Sequence, residues 1–500
     1  MCSANIATGG EDVLLSHIAA HVGARWSGPD VTIRGIAYDS RRVQAGDLFC
    51  ALVGQKTDGH RYLEDALNRG CTALMVEHGA TVPAGTSTLW VEDSRRAMAL
   101  AAAYFNGDPT CQLRLFGVTG TNGKTTTTFM LHKVLQMAGF RTGLIGTVAV
   151  MLGDDQEPVT LTTPEAPDLQ KLFARMHRAQ CDCAVMEVSS FGLVLERVRG
   201  ARFDAGIFTN LSQDHLELHE TMENYLQAKG RLFTQLAESG KDSFAVLNAD
   251  DPASLRLADL CEVPVVSYGM KQDAEVYARD LDAGPTGNTF VLHTPMGRRK
   301  VHQPMAAHFN VYNALATAAA AWQGGLDLAC IVAGLEATRG VPGRFELVHA
   351  GQPFTVAVDY AHTPDALENV LRSARQLVPG RLLVVFGCGG DRDPIKRPLM
   401  GQVAARGADV VVITSDNPRT EEPIRIMEQI RAGLDGSQGV CHLEEDRRAA
   451  IALALDMAAP GDCVIIAGKG HETYQVFGDK TIDFDDRKVA RELLVGERQS

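Results

Sequence analysis

The stretch Phe116-Gly-Val-Thr-Gly-Thr-Asn-Gly-Lys-Thr-Thr-Thr-Thr128 constrains this chain more than any other part of it. Leu113, Leu115, Phe116 and Val118 predict a short buried strand before the glycines, and Phe129, Met130, Val134 and Leu135 recur at helical spacing after them. A strand, a Gly-rich turn and a helix N-terminus form a cradle for an anion, because free backbone N–H groups and the positive end of the helix dipole face it. Across Thr119, Gly120, Thr121, Asn122, Gly123, Lys124 and Thr125, the lysine can reach the β- and γ-phosphates of a nucleotide, and the Thr125 hydroxyl can join a Mg²⁺ shell. The stretch is not a strict P-loop, since Val118 stands five residues before Gly123 where a glycine is usual. Strand, glycines, Lys-Thr pair and helix nevertheless agree, so an ATP site is expected in preference to an ordinary turn with a surface lysine.

A chain of 500 residues with 45% hydrophobic and 22% charged residues has ample core for about three domains. The net charge of −13 is spread without long runs, which argues against a nucleic-acid backbone as the main ligand. Eleven cysteines are scattered, and the Cys181, Cys183 pair lacks a second pair or suitably spaced histidines, so free thiols are expected rather than zinc. No basic segment followed by an apolar run opens the chain, and no apolar stretch is long enough to span a bilayer. A cytoplasmic protein without membrane insertion is expected, and a monomer.

The organisation predicted is α/β in three domains. Residues 1–110 form a smaller N-terminal α/β domain, with a strand over residues 31–38, a turn at Asp39-Ser40-Arg41 and a second strand over residues 46–53. Residues 111–345 form a central P-loop-type ATPase domain, whose apolar strands alternate with amphipathic helices as in a mostly parallel sheet. Glu187 and Ser189 fall near the end of one such strand, the 212–219 loop brings His215, and a helix over residues 222–235 carries Lys229. In open α/β sheets this edge is where ligands bind. Thr125, Glu187 and His215 are therefore candidate metal ligands, although His215 and Lys229 taken alone read as an ordinary loop histidine and a solvated helix lysine. Residues 346–500 form a C-terminal Rossmann-like α/β domain, in which four buried strands each deliver a polar loop to one sheet edge. The glycines after the strand at residues 381–386 lack the G-x-G-x-x-G spacing, so a dinucleotide site is set aside.

Nearly end to end, the chain resembles the Mur ligase family. The resemblance rests on Asp39-Ser-Arg41, Thr119-Gly-Thr-Asn-Gly-Lys-Thr125, Glu187-Val-Ser-Ser190, Asp214-His-Leu216, His308-Phe-Asn-Val311 with Asn313, Gly340-Val-Pro-Gly-Arg344, Asp359-Tyr-Ala-His-Thr-Pro364, Asp416-Asn-Pro-Arg419 and Gly468-Lys-Gly-His-Glu472. It implies ATP-dependent amide ligation in peptidoglycan precursor synthesis, in which the D-Glu side-chain carboxylate of UDP-N-acetylmuramoyl-L-alanyl-D-glutamate becomes an acyl phosphate and an amine of meso-diaminopimelate attacks it. By the motifs that match, residues 119–125 hold ATP, Lys124 stabilises the transferred phosphoryl group, Glu187 and His215 bind Mg²⁺, and Lys229 matches a lysine that is N-carbamylated (N6-carboxylysine) in the family. Asn310, Asn313, Arg344 and His362 match positions flanking the nucleotide. Ser40 matches a uridine contact, and Thr162, Thr163, Ser189 and Arg197 match muramoyl-dipeptide contacts. Arg392, Asp416, Asn417, Pro418, Arg419, Gly468 and Glu472 match the amino-acid pocket.

Three positions depart from the family's common pattern: Phe191 replaces a histidine, Leu195 a glutamine, and Ala307-His308 a context with glycine. Diaminopimelate differs from lysine by a second carboxylate, which a guanidinium fork at Arg419 can bind bidentately, so the motif favours diaminopimelate over the lysine-adding alternative. A P-loop kinase or NTPase without ligase activity would not need the four C-terminal loops.

Overall fold

The computed structural model describes residues 12–496 with the exception of 55, 56, 154, 160, 272 and 435–439. Three main sheets carry the chain in sequence order. The first has five strands in the order Arg25–Ser27, Ser87–Val91, Ala73–Glu77, Asp47–Cys50, Gly35–Ala37, all parallel except the first pair. The strand expected over residues 31–38 is broken. Thr32–Ile33 pairs antiparallel with Val13–Leu14, whereas Gly35–Ala37 joins the main sheet, because the Arg34 amide between them bonds instead to the Gly46 carbonyl.

The second sheet has eleven strands. Its middle is parallel, with Cys183–Glu187, Arg114–Thr119, Ala205–Phe208 and Phe244–Asn248 side by side. The strand Arg114–Thr119 is therefore central, and the Gly-rich loop leaves its C-terminal end directly into the helix Lys124–Met137. That helix is packed by Phe309–Gln323 and Leu328–Ala337. Ala314, Ala316 and Ala318 to Ala321 are all buried, and their small side chains let the helices approach closely over one large apolar cluster. Both edges of this sheet are antiparallel, at Thr142–Ile145, Val150–Leu152 and Asp155–Glu157 on one side and at Val276–Gly284, Gly287–Thr294 and Gly297–Gln303 on the other. Gly287–Thr294 alternates buried with half-buried residues, the period-two pattern of a strand covered on one face.

The third sheet runs Glu346–Leu347, Thr355–Asp359, Cys463–Ala467, Leu382–Phe386, Val410–Ile413, Val440–Leu443, antiparallel only at its first pair. The four expected strands are all present. They read as near-continuous Val, Ile and Leu runs because separate apolar clusters cover the two faces of the sheet. Cys463–Ala467 lies between Thr355–Asp359 and Leu382–Phe386, which opens a crevice beyond the strand ends at this change of order.

Beneath that edge, Arg447 and Asp486 form an ion pair with both side chains at 0% exposure, joined by bonds of 2.8 and 2.7 Å. The remaining guanidinium N–H groups donate to the carbonyls of Ser415 and Ala467, the last residues before the Asp416 and Gly468 loops. Removing one partner strands a charge in the interior, so Arg447→Met is expected to cost about 3–5 kcal/mol in chemical denaturation. A loss below about 1 kcal/mol, the scale of a surface pair, would show that the pair is not buried in solution.

Candidate active site

The sequence places the Gly-rich loop between strand and helix, and the fold wraps it with side chains from distant segments. Gly123 has φ +85°, and a Cβ there would lie 2.3 Å from Asn313 Oδ1, so both backbone conformation and space exclude a side chain. The Asn122 amide donates to Asn210 Oδ1 at 2.9 Å, and the Thr121 amide donates to the Asn210 carbonyl at 2.8 Å. Lys124 Nζ folds back onto the carbonyls of Gly120 and Thr121 at 3.0 and 2.8 Å. Burial pulls this amine below the ordinary lysine range, against the opposing pull of Glu187 and Asp214.

Lys229, 1% exposed, donates to the same Gly120 carbonyl at 2.8 Å and lies over the Tyr225 ring. Its amine is held well below the ordinary range, first by burial and then by the Lys124 charge. The sequence alone made it a solvated lysine; the helix Met222–Glu238 instead turns it inward. Glu187, also 1% exposed, ends its strand beside the loop. Its carboxylate accepts from Thr125 Oγ1 at 3.1 Å, from the Thr147 amide at 2.7 Å and from Thr147 Oγ1 at 3.1 Å. His215, with φ +54°, packs edge-on against Phe191, and its Nε2 lies 3.4 Å from Asp214. Burial by itself raises Asp214, but His215, His362 and Lys124 together carry it below the ordinary carboxylate range.

Two cavities meet here. One of about 760 Å³ is lined by residues 120–125, Thr147, Thr162, Glu187, Ser189, Lys229, Asn313 and Arg344. The other, about 1120 Å³, is lined by Phe191, Arg392, Asp416, Asn417, Arg419, Gly468 and Glu472. His215, His362 and Asp365 line both, so the spaces share a wall. Arg419 thus faces the cleft rather than the outer surface, with φ +52° and Nη1 bonded to the Gly390 carbonyl at 2.7 Å. Lys469 is fully buried behind it, donating to Asn417 Oδ1 and Glu472 Oε2 and so fixing both pocket side chains.

Other expected residues stand apart from the cavity walls. Thr119 and Asn310 are buried beneath the loop, Asn310 holding Asn313 Nδ2 through its Oδ1 at 3.1 Å. Thr163 bonds Ser189 and the Glu187 carbonyl, and Arg197 bonds the Thr163 carbonyl and Glu165. Ser40 opens a short 3-10 turn in the N-terminal domain, and Pro418 lines neither cavity. Sequence reading missed Thr147 and Asp365. Asp365 accepts from Asn122 Nδ2 at 2.8 Å and from Ser212 Oγ at 2.7 Å, tying the C-terminal domain to the loop; its place one residue after Thr363-Pro364 was the available signal.

A Gly-rich loop at a helix N-terminus, an inward-facing lysine and an arginine-lined pocket lie along one cleft, an arrangement that suits an ATP-dependent ligase. The chain belongs to the Mur ligase family. The model of the Mur ligase middle domain matches residues 118–321, that of the Mur ligase glutamate ligase domain matches 343–470, and that of the Mur ligase family catalytic domain matches 32–106. It is 47% identical over 481 residues, 96% of this chain and 98% of the relative, to the UDP-N-acetylmuramoyl-L-alanyl-D-glutamate–2,6-diaminopimelate ligase of Geobacillus kaustophilus. It is also 47% identical, over 93% of this chain and 94% of the relative, to the enzyme of the same name from Solibacter usitatus. A solved structure of a ligase of that name matches with TM-score 0.69 and 35% identity, over 98% of this chain and 100% of that one. The fold is shared by a MurF ligase from Thermotoga maritima solved with ADP, with TM-score 0.63 and 18% identity over 93% and 98% of the two chains.

Two measurements check this geometry. Gly123→Ala is expected to lower nucleotide affinity by about fivefold to a hundredfold, since strain of about 1–3 kcal/mol falls on the loop, with the far-UV circular dichroism unchanged; wild-type affinity would refute the close approach of Asn313. His362 is pulled down to about 4, first by burial and then by Lys396, from an ordinary 6.5. The unfolded chain therefore takes up this proton first as pH falls, so the stability tied to neutral His362 is full above pH 6.5 and drains away towards pH 4. His362→Gln should flatten that slope, and an unchanged slope would show the imidazole to be solvated.

Proposed function

We propose that this chain is an ATP-dependent amide ligase that adds meso-diaminopimelate to the D-Glu side-chain carboxylate of UDP-N-acetylmuramoyl-L-alanyl-D-glutamate, in the cytoplasm and as a monomer. The observation that carries the reading is the shared cleft: a phosphate cradle opens on one side of His215 and His362, and an arginine-lined pocket on the other. The full-length identity to diaminopimelate ligases supports the substrate pair. Among the described residues no helix is long and apolar enough to cross a membrane.

In this reading residues 1–110 hold the uridine part of the substrate through Ser40, residues 111–345 hold ATP, and residues 346–500 hold the amino acid. A carboxylate is a poor electrophile, and bringing it to a triphosphate sets anion against anion, so the site must supply positive charge. Lys124 neutralises the phosphoryl group in transfer, and Arg344, whose Nη2 already donates to Thr125 Oγ1 at 3.0 Å, adds a second cation. Among the described residues Arg344 Nε is buried without a partner, which suits a guanidinium that awaits an anion. Thr162 and Ser189 orient the dipeptide end, with Thr163 and Arg197 fixing their backbone. Asp416 and Glu472 line the amino-acid pocket and offer carboxylates to an ammonium group, and Arg419 with Arg392 grips the distant carboxylate.

The donor set fits Mg²⁺: Thr125, Glu187 and His215 offer hydroxyl, carboxylate and imidazole around the cradle, and the ion when bound screens the phosphate charge. Lys229 suits carbamylation. A buried amine held well below the ordinary range is neutral enough to attack carbon dioxide, forming a C–N bond, releasing one proton and exchanging a neutral amine for an anionic carbamate beside Lys124. Junctions near residues 110 and 345 would let the domains close on their substrates.

Mass spectrometry of the product from UDP-linked dipeptide, ATP and diaminopimelate should show the dipeptide extended by diaminopimelate with one phosphate released. Phosphate release without any amino acid would instead indicate a simple NTPase. Arg419→Met is expected to lower kcat/KM for diaminopimelate by about a hundredfold or more, since a carboxylate loses its charged partner. An equal loss with lysine would refute the assignment of the second carboxylate to Arg419.

A further inference from the structure

Arg397 does not line either cavity, yet it is almost fully buried, with a side chain only 1% exposed. It lies one residue into the helix Lys396–Gly407 and reaches outward to two loops at once. Nη1 donates to Glu421 Oε2 at 2.8 Å and to Gln429 Oε1 at 2.7 Å. Nη2 donates to Glu421 Oε1 at 2.8 Å and to the Gly389 carbonyl at 3.3 Å. Glu421 Oε1 in turn accepts from the Asp391 amide at 2.6 Å. One guanidinium fork and one carboxylate therefore tie residues 387–393, which carry Arg392, to residues 416–421, which carry Arg419.

The two loops touch closely along their length. A Cβ on Gly390 would fall 1.9 Å from the Pro418 carbonyl oxygen, and the Gly390 amide donates to the Asn417 carbonyl at 2.9 Å. Thr420 Oγ1 donates to Asp391 Oδ1 at 2.6 Å, and Arg419 Nη1 to the Gly390 carbonyl at 2.7 Å. The left-handed backbone of Arg419 is held on its other side by bonds from its amide to Val476 and from the Gly478 amide to its carbonyl. The position of the Arg419 guanidinium thus depends on where the 387–393 loop sits.

We infer that Arg397 and Glu421 are positioning residues that set the spacing of Arg392 and Arg419, and so govern selectivity for an amino acid with a second carboxylate. This rests on the proposed reading of Arg392 and Arg419 as the grip on that carboxylate. The physical reason lies in geometry. A bidentate grip needs its donors fixed to within a fraction of an ångström, and a fork-to-carboxylate brace fixes direction as well as distance. A lysine at position 397 would keep the charge and lose the fork. Hydrogen bonding from Arg397 holds Glu421 down to about 2, so the brace stays charged throughout the pH range of an assay.

The test uses the full chain with Glu421→Gln and Arg397→Lys, measuring initial phosphate release with meso-diaminopimelate and with L-lysine, together with KM for ATP and for the UDP-linked dipeptide. Glu421→Gln is expected to raise KM for diaminopimelate about tenfold and to lower the diaminopimelate-to-lysine ratio of kcat/KM about tenfold, the scale of a displaced positioning contact. KM for the other two substrates should stay within about twofold. Arg397→Lys should do the same; if it fails to fold, Glu421→Gln, changed at a partly exposed side chain, decides alone. An unchanged ratio, or three KM values that rise together, overturns the inference. A wild-type enzyme that turns over lysine as readily as diaminopimelate overturns the reading of Arg419 beneath it. A selective wild type with an equally selective Glu421→Gln overturns the brace alone.

Discussion

Two lysine amines converge on one carbonyl oxygen, that of Gly120: Lys124 from the helix that follows the loop, at 3.0 Å, and Lys229 from a helix more than a hundred positions later, at 2.8 Å. Packing two buried amines this closely costs free energy unless one is neutral or an anion lies between them. The arrangement is therefore built for negative charge, and Glu187, Asp214 and the phosphate cradle are placed around it. It also explains why the depression at Lys229 is strong: burial acts first, and the Lys124 charge acts in the same direction.

The junction with the last third of the chain is made at this point. Arg344 reaches Thr125, and Asp365 reaches both Asn122 and Ser212. Contacts of this kind make the phosphate loop sensitive to the position of the C-terminal sheet. Burial, with Lys396 acting in the same direction, leaves His362 neutral at a wall common to both halves of the cleft. The two cavities thus share a wall built from residues of both the central and the C-terminal sheet regions.

Much of the scaffold was legible because its signals are local. The run of glycines before Lys124 and Thr125 needed only its own strand and helix to be read, and the four C-terminal strands announced themselves as apolar runs ended by polar loops. The antiparallel edges of the central sheet were harder. Their alternation in Gly287–Thr294 is plain in retrospect, but nothing local says which sheet such a strand will join. The broken strand near residue 34 is a similar case, since a hydrogen bond to distant Gly46 decides it.

Side-chain direction marks the boundary most sharply. Sequence by itself determined that a Gly-rich turn joins a buried strand to a helix at residues 119–125 and that charged loops follow the C-terminal strands, because strand and helix periodicity and glycine stereochemistry act over a few residues. Tertiary structure alone decided that Lys229 turns inward, that Asp365 grips the phosphate loop, and that Arg397 and Glu421 lace two loops behind Arg419. Those outcomes depend on burial and on partners far away in the chain, and an ionisable side chain takes its chemistry from the company that folding gives it.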